Sequence, residues 1–341
     1  MTKINPEQYT LWAQAALAQY PLKKPTLHFL GHSDNLTFRV EEGGDAVYLL
    51  RLHRPVVSYW EGMRQSAAAI TSELTWLEAL SQDGGLAVQH PIHTREGKLV
   101  ASIQADDGNA VPATLLTWLE GSHFSPGAPE ALCQVEQFGA LVARMHEFSV
   151  HWTPPDGFSR PIYGTEHFHR VFARLLHGAD LGVFSEEVYR TLRVTGQMIE
   201  TEIRALPASP EYWGMIHADL HMGNFLIGAE PLVAGECCPI IPIDFSFCGL
   251  GHYLFDLSVC LAGGLNAALR PVFLRGYRSV RPLPESDMRA VDAYALAGII
   301  SYFAYQIDNP AERKWLQRRI PEVVQKDCLR FIQGQRVLPE L

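Results

Sequence analysis

Asp219 and Asn224 stand five residues apart in the run His217-Ala218-Asp219-Leu220-His221-Met222-Gly223-Asn224. A carboxylate that takes the proton of an attacking hydroxyl, close to an oxygen ligand for a divalent metal, is what phosphoryl transfer asks of a loop. Asp219 fits the base and Asn224 the metal ligand. A turn with a polar lining is the plainer alternative, since His-x-Asp and Gly-Asn are each common alone. Twenty residues further on, Ile240-Ile241-Pro242-Ile243 ends in Asp244. An apolar strand run that ends in aspartate sets a carboxylate at the strand exit, where a second metal ligand is wanted. An ordinary strand-ending turn is the alternative.

The runs IHADLHMGN, IPIDFSFCG and YLFDL resemble the aminoglycoside phosphotransferase and choline kinase family, which has a protein-kinase-like fold. The family's usual His-Gly-Asp-Leu-His-Pro-Gly-Asn becomes, in this chain, a loop with Ala218 for the glycine and Met222 for the proline. YLLRLHRP at 48–55 and SELTWLEAL at 72–80 are similar to a bacterial subgroup. It holds the Rdo-type stress-response Ser/Thr kinases and the homoserine kinases of the second type. The resemblance covers roughly residues 25–280. It implies ATP and Mg2+ but leaves the acceptor open. It also implies that Asp256 braces the catalytic loop.

Under that resemblance, Gly31, Ser33 and Asn35 lie where a loop would cover phosphates, their backbone N–H groups facing the oxygens. An ordinary hairpin turn fits as well. No lysine lies between Lys24 and Lys98, and Arg51 takes the place of the usual strand lysine. Alternation sets Val47, Leu49, Arg51 and His53 on one face, and Glu73 in the next helix is the natural partner. The guanidinium is a planar fork rather than a point charge. Its alternative is a solvated edge residue. Thr117 and Leu119 lie in the expected adenine hinge. His146 is read as a packing or capping residue near a helix end, and His217 as a group that orients the loop. His221 and His252 lie near the proposed site without an assigned role.

The elements that must position these groups follow from the hydrophobic pattern. Residues 6–20 read as a short helix with Leu11, Ala15 and Leu17 on one face. Three strands span 27–30, 36–40 and 46–53, with Glu42-Gly43-Gly44-Asp45 as a hairpin turn. A helix follows with Ile70, Leu74, Leu77 and Leu80 in one stripe. Two more strands are expected around 88–104 and 113–118. Beyond Gly121 the chain turns helical at 131–148, 166–178 and 185–205, is β-rich at 213–248, and is helical again from about 253. The expected fold is α+β and bilobal. A five-stranded antiparallel nucleotide-binding lobe at 1–117 and a hinge at 118–121 precede a larger helical catalytic and substrate lobe at 122–341. Segments 125–205 and 255–330 would shape the acceptor site.

Composition excludes several classes. Of 341 residues, 47% are hydrophobic and 19% charged, which excludes disorder. A net charge of −9 argues against nucleic acid or an anionic membrane as partner. The expected partners are ATP and either a hydroxyl-bearing small molecule or a protein Ser/Thr. Six cysteines without a C-x-x-C pair suit a reducing compartment, and the adjacent Cys237 and Cys238 read as an accident of a loop. No signal peptide is legible, so a soluble cytoplasmic protein is expected. Ala218 stands where many protein kinases carry an arginine, which argues against control by a phosphorylated activation loop. A nucleotide-binding pseudokinase acting as a scaffold is the alternative from another class, supported by the missing lysine and the sparse glycines.

Overall fold

The computed structural model describes residues 6–32, 35–44, 46–54, 66–106, 108–230 and 237–338. The chain divides into two units. One takes in residues 1–121 with 154–160, the other 122–153 with 161–341. Segment 154–160 belongs with the first because its polar groups find partners there. The Ser159 N–H donates to Ser72 Oγ at 2.8 Å, and Arg160 donates to the Ala69 carbonyl at 3.1 Å.

The first unit runs α1 (Pro6–Leu17), β1 (Thr26–His32), β2 (Leu36–Glu42), β3 (Ala46–Leu52), α2 (Ala67–Gln82), β4 (Pro91–Ile92), β5 (Ala101–Gln104) and β6 (Ala110–Thr117). Among the described residues its sheet has six strands, in the order β1-β2-β3-β6-β4 with β5 also on β6, and every described pairing is antiparallel. The expected count of five fails because the stretch around 88–104 is two strands. A turn closed by Thr94 N–H on the Lys98 carbonyl, with Gly97 at φ +77°, separates them. Ser66 caps α2 by accepting the Ala69 N–H, and Ile70, Leu74, Leu77 and Leu80 are buried along it. The first helix buries Leu17 as expected but otherwise a different face. Trp12, Ala13, Ala16 and Leu17 are in the core, while Leu11 is 58% exposed and Ala15 is also exposed. Spacing allowed either face, and the sheet selected the one carrying the large indole.

The second unit runs α3 (Ala131–His151), β7 (Ile162–Tyr163), α4 (Thr165–Leu176), α5 (Glu186–Ala205), β8 (Trp213–Ile216), β9 (Phe225–Gly228), β10 (Ile240–Pro242), β11 (Gly249–His252), α6 (Tyr253–Ala262), α7 (Arg270–Arg278), α8 (Met288–Gln306), α9 (Arg313–Val323) and α10 (Leu329–Ile332). The short strands pair β9 with β10 antiparallel, and β11 with β8 antiparallel and with β7 parallel. Helices α3 and α7 approach closely because both carry glycine at the crossing. A Cβ on Gly139 would overlap the Phe273 carbonyl, and one on Gly276 would overlap the Glu136 carbonyl. Phe138 of α3 fills the gap beneath, 4.4 Å from Phe225 and 5.2 Å from Phe273 between ring centres. Among the described residues no helix is long and apolar enough to cross a membrane.

One covalent link was not legible in the sequence. Cys237 is joined to Cys133 at the start of α3, 104 residues away, by a disulfide, and Cys238 is free. The partner of Cys237 is thus a distant cysteine and not its neighbour Cys238.

Candidate active site

In the second unit the loop between β8 and β9 carries Asp219 and Asn224, and the exit of β10 carries Asp244. The Asn224 side-chain amide donates to the Asp219 carbonyl at 2.8 Å and to Asp219 Oδ2 at 3.0 Å. Among the described residues that orientation leaves the Asn224 amide oxygen without a hydrogen-bond donor. The Ile243 N–H donates to the Asn224 carbonyl at 2.9 Å, which sets Asp244 beside the loop. His217, fully buried, joins the same two segments. Its Nε2–H donates to the Ile243 carbonyl at 3.0 Å, and its Nδ1 accepts the Asp219 N–H at 3.3 Å. Burial holds His217 below its usual pKa, so the ring is a neutral brace. Asp244 is exposed, sits in left-handed backbone at φ 61°, and accepts Ser246 Oγ–H at 2.7 Å.

Asp256, on the first turn of α6, organises the loop from below. It is fully buried, and its Oδ1 accepts the Ala218 N–H at 2.6 Å. Its Oδ2 accepts the His217 N–H at 2.8 Å and His146 Nε2–H at 3.2 Å. Burial works against this charge, but the His146 and His217 donors outweigh it and hold the carboxyl below its usual range. These bonds retain Ala218 at φ +65°, where a residue with a Cβ is strained and the family's glycine is not. His146 is neither an end-cap nor plain packing. Helix α3 continues past it to His151, and its Nδ1 accepts the Tyr277 hydroxyl at 3.0 Å. Burial keeps it neutral. No local spacing signals a bond between residues 110 positions apart. His252 is bound away from the loop, accepting the Tyr294 hydroxyl at 2.7 Å and donating to the Pro207 carbonyl at 3.2 Å.

In the first unit Arg51 is 5% exposed, which removes the solvated-edge reading. Its guanidinium donates to Glu73 Oε1 at 2.7 Å and to Thr114 Oγ1 at 3.3 Å. Glu73 meets a second cation that the sequence did not point to, Arg160, 3.8 Å from its Oε2. Gly31 lies inside β1, opposite Thr37 and just after a bulge, so it is a strand residue rather than a loop tip. Asn35 directly precedes β2, and Ser33 lies outside the described residues. Thr117 ends β6 with its backbone engaged: its N–H donates to the His90 carbonyl and its carbonyl accepts Gln89 Nε2. Among the described residues nothing hydrogen-bonds the backbone of Leu119.

No group of three or more His, Cys, Asp or Glu side chains capable of holding a metal occurs among the described residues. The donors near Asp219 are instead one amide oxygen and one exposed carboxylate. Such a hard-oxygen pair fits an ion that takes its remaining ligands from phosphates and water, as Mg2+ commonly does.

A family model described as phosphotransferase enzyme family matches residues 26–294. The chain is similar to the homoserine kinase of Agrobacterium fabrum, at 28% identity over 270 residues, 74% of this chain and 72% of that protein. It is also similar to the amicoumacin kinase of Bacillus subtilis, at 23% identity over 260 residues, 76% of this chain and 68% of that one. Among solved structures, a microcompartment-associated aminopropanol kinase superposes with a TM-score of 0.77 at 23% identity, over 96% of this chain and 99% of that one. The amicoumacin kinase hAmiN, in complex with AMP-PNP, Ca2+ and Ami, superposes with a TM-score of 0.75 at 19% identity, over 98% and 96%. The family match runs from the first residue of β1 into α8 and takes in Arg51, Glu73, Asp219, Asn224 and Asp244, and the chain accordingly belongs to the phosphotransferase enzyme family.

Proposed function

We propose that this phosphotransferase moves the γ-phosphoryl group of ATP to the hydroxyl of a small amino alcohol. The observation that carries the reading is the Asp219–Asn224 pair, in which one side-chain hydrogen bond orients both the base and a metal-facing amide oxygen. Asp219 holds the acceptor hydroxyl and takes its proton late, as the new O–P bond forms and the bond to the departing ADP breaks. Asn224 and Asp244 would hold Mg2+, which neutralises charge on the phosphates when bound. Arg51, fixed by Glu73, would contact a phosphate, and Asn35, directly before β2, would lie at the phosphate-covering turn. The adenine edge falls to the backbone of Leu119 rather than Thr117, whose groups are already bonded. The acceptor class is supported by the relatives' names: homoserine and aminopropanol each pair a hydroxyl with an amine, and hAmiN binds an ATP analogue with a divalent cation. None of these names points to a protein Ser/Thr. The scaffold alternative loses its main support, because Arg51 keeps a buried positive charge paired to Glu73 where the lysine is missing.

The test is ADP release with MgATP and a panel of homoserine, 1-amino-2-propanol, ethanolamine and choline, with the product identified by mass spectrometry. At least one amino alcohol is expected to be phosphorylated. Asp219→Asn should lower turnover by about 10²–10⁴-fold while ATP affinity changes little. Asp244→Ala should abolish Mg2+-dependent turnover. A panel without any phosphorylated product, or wild-type turnover in Asp219→Asn, refutes the reading.

A further inference from the structure

His221 sits between Asp219 and Asn224, and the function described above gives it no task. Three backbone bonds fix its place. Its N–H donates to the Asp219 carbonyl at 2.9 Å, closing a tight turn that brings the two residues together. Its carbonyl accepts the Asn224 N–H at 2.9 Å. Met222, the next residue, donates its N–H to the Gly263 carbonyl at 3.2 Å. Gly263 permits this approach, because a Cβ there would lie 2.8 Å from the His221 Cβ.

The ring is held as firmly as the backbone. Nδ1 accepts the Gly223 N–H at 3.0 Å, so the proton of the neutral imidazole is on Nε2. Among the described residues no group hydrogen-bonds Nε2. The half-buried imidazole therefore presents one oriented N–H donor from the turn that joins Asp219 to Asn224. An uncharged donor in that place does not repel the metal and does not neutralise the base. Charge develops on the oxygens of the phosphoryl group in flight, and a fixed donor stabilises that charge without reorganising.

We propose that His221 is a catalytic residue whose Nε2–H donates a hydrogen bond to an oxygen of the transferring phosphoryl group. This rests on the phosphotransfer reading of Asp219, Asn224 and Asp244.

Two isosteric variants separate this role from a structural one. In His221→Gln the amide nitrogen reaches the position of Nε2 and the acceptor for Gly223 is lost. In His221→Asn the amide oxygen replaces Nδ1 and keeps the Gly223 bond, but the donor is lost. Turnover is measured with the best acceptor of the panel and with water, as slow ATP hydrolysis, with MgATP affinity measured alongside. The expected result is a fall of about 10²-fold in His221→Asn with both acceptors, at unchanged MgATP affinity, and a fall of less than about tenfold in His221→Gln. The opposite order makes His221 a staple of the loop and overturns the proposal. Equal turnover in the two variants overturns it as well. A loss confined to the amino alcohol moves the donor from the phosphoryl group to the acceptor and also overturns it. Asp219→Asn is run in parallel. Wild-type turnover there defeats the phosphotransfer site itself, whereas a collapse there upholds the site, and the order of the two His221 variants then decides the role of the donor.

Discussion

Asp256→Asn tests how the loop of Asp219 and Asn224 is held. The carboxylate accepts three hydrogen bonds at 2.6, 2.8 and 3.2 Å and is fully buried. The variant keeps the shape but retains one oxygen. If that oxygen serves Ala218, the new NH2 faces both the His217 N–H and His146 Nε2. His146 can shift its proton to Nδ1, because the Tyr277 hydroxyl can turn to accept, so that contact is recovered. The His217 N–H cannot adapt and is left buried without an acceptor, at a cost of about 1–3 kcal/mol. The Ala218 bond loses its charge, which removes about 1 kcal/mol more. The expected loss of stability is therefore about 2–4 kcal/mol. The loop also carries about 1–2 kcal/mol of left-handed strain at Ala218, which the weakened bonds no longer balance. Relaxation there displaces the next residue, Asp219, and a shift of about 1 Å at this proposed base lowers turnover about 10²-fold. Urea denaturation followed by circular dichroism measures the first effect and steady-state turnover the second. A variant with the wild-type midpoint and full turnover refutes the bracing role of Asp256.

Three further outcomes are expected. Burial depresses His146, His217 and His167, the last to about 4, so the unfolded chain takes up protons first as the pH falls below the ordinary histidine value of about 6.5. Stability is then complete above that pH and falls below it, by up to about 1.4 kcal/mol per pH unit for each ring, until the folded rings protonate; an unchanged denaturation midpoint between about pH 7 and 5 would contradict this. Arg51→Ala leaves Glu73 in the core with Arg160 as its counter-charge and should cost up to about 3 kcal/mol as well as turnover, whereas Arg51→Lys keeps the charge and part of both, as melting curves and kinetics would report; equal behaviour of the two variants argues against a buried pair. Gly139→Ala drives a methyl group into the Phe273 carbonyl and should destabilise by about 1–3 kcal/mol or more, and a melting temperature equal to wild type would contradict the close crossing of α3 and α7.

The closeness of Asp219, Asn224 and Asp244 was legible in the sequence because the residues proposed to do the chemistry lie close along the chain. A five-residue spacing and an apolar run ending in aspartate are local patterns, and local backbone bonds convert them into geometry. The same holds for the stripe Ile70, Leu74, Leu77 and Leu80, where side-chain period alone decides which face is apolar. Glu73 was foreseen as the partner of Arg51 from the kinase resemblance, which pairs the strand cation with a glutamate of the next helix. Tertiary structure decided what holds these groups in place. The bonds of Asp256 to His146 and the loop, the Tyr277 hydroxyl on His146, Arg160 beside Glu73 and the Cys133–Cys237 link each join residues that no period relates. Their partners exist only once helices pack, since a buried polar group must take whichever complementary group the packing brings to it. The face of α1 was settled in the same way: Leu11 and Trp12 are neighbours in sequence, and contact with the sheet, not the spacing, sent the indole inward.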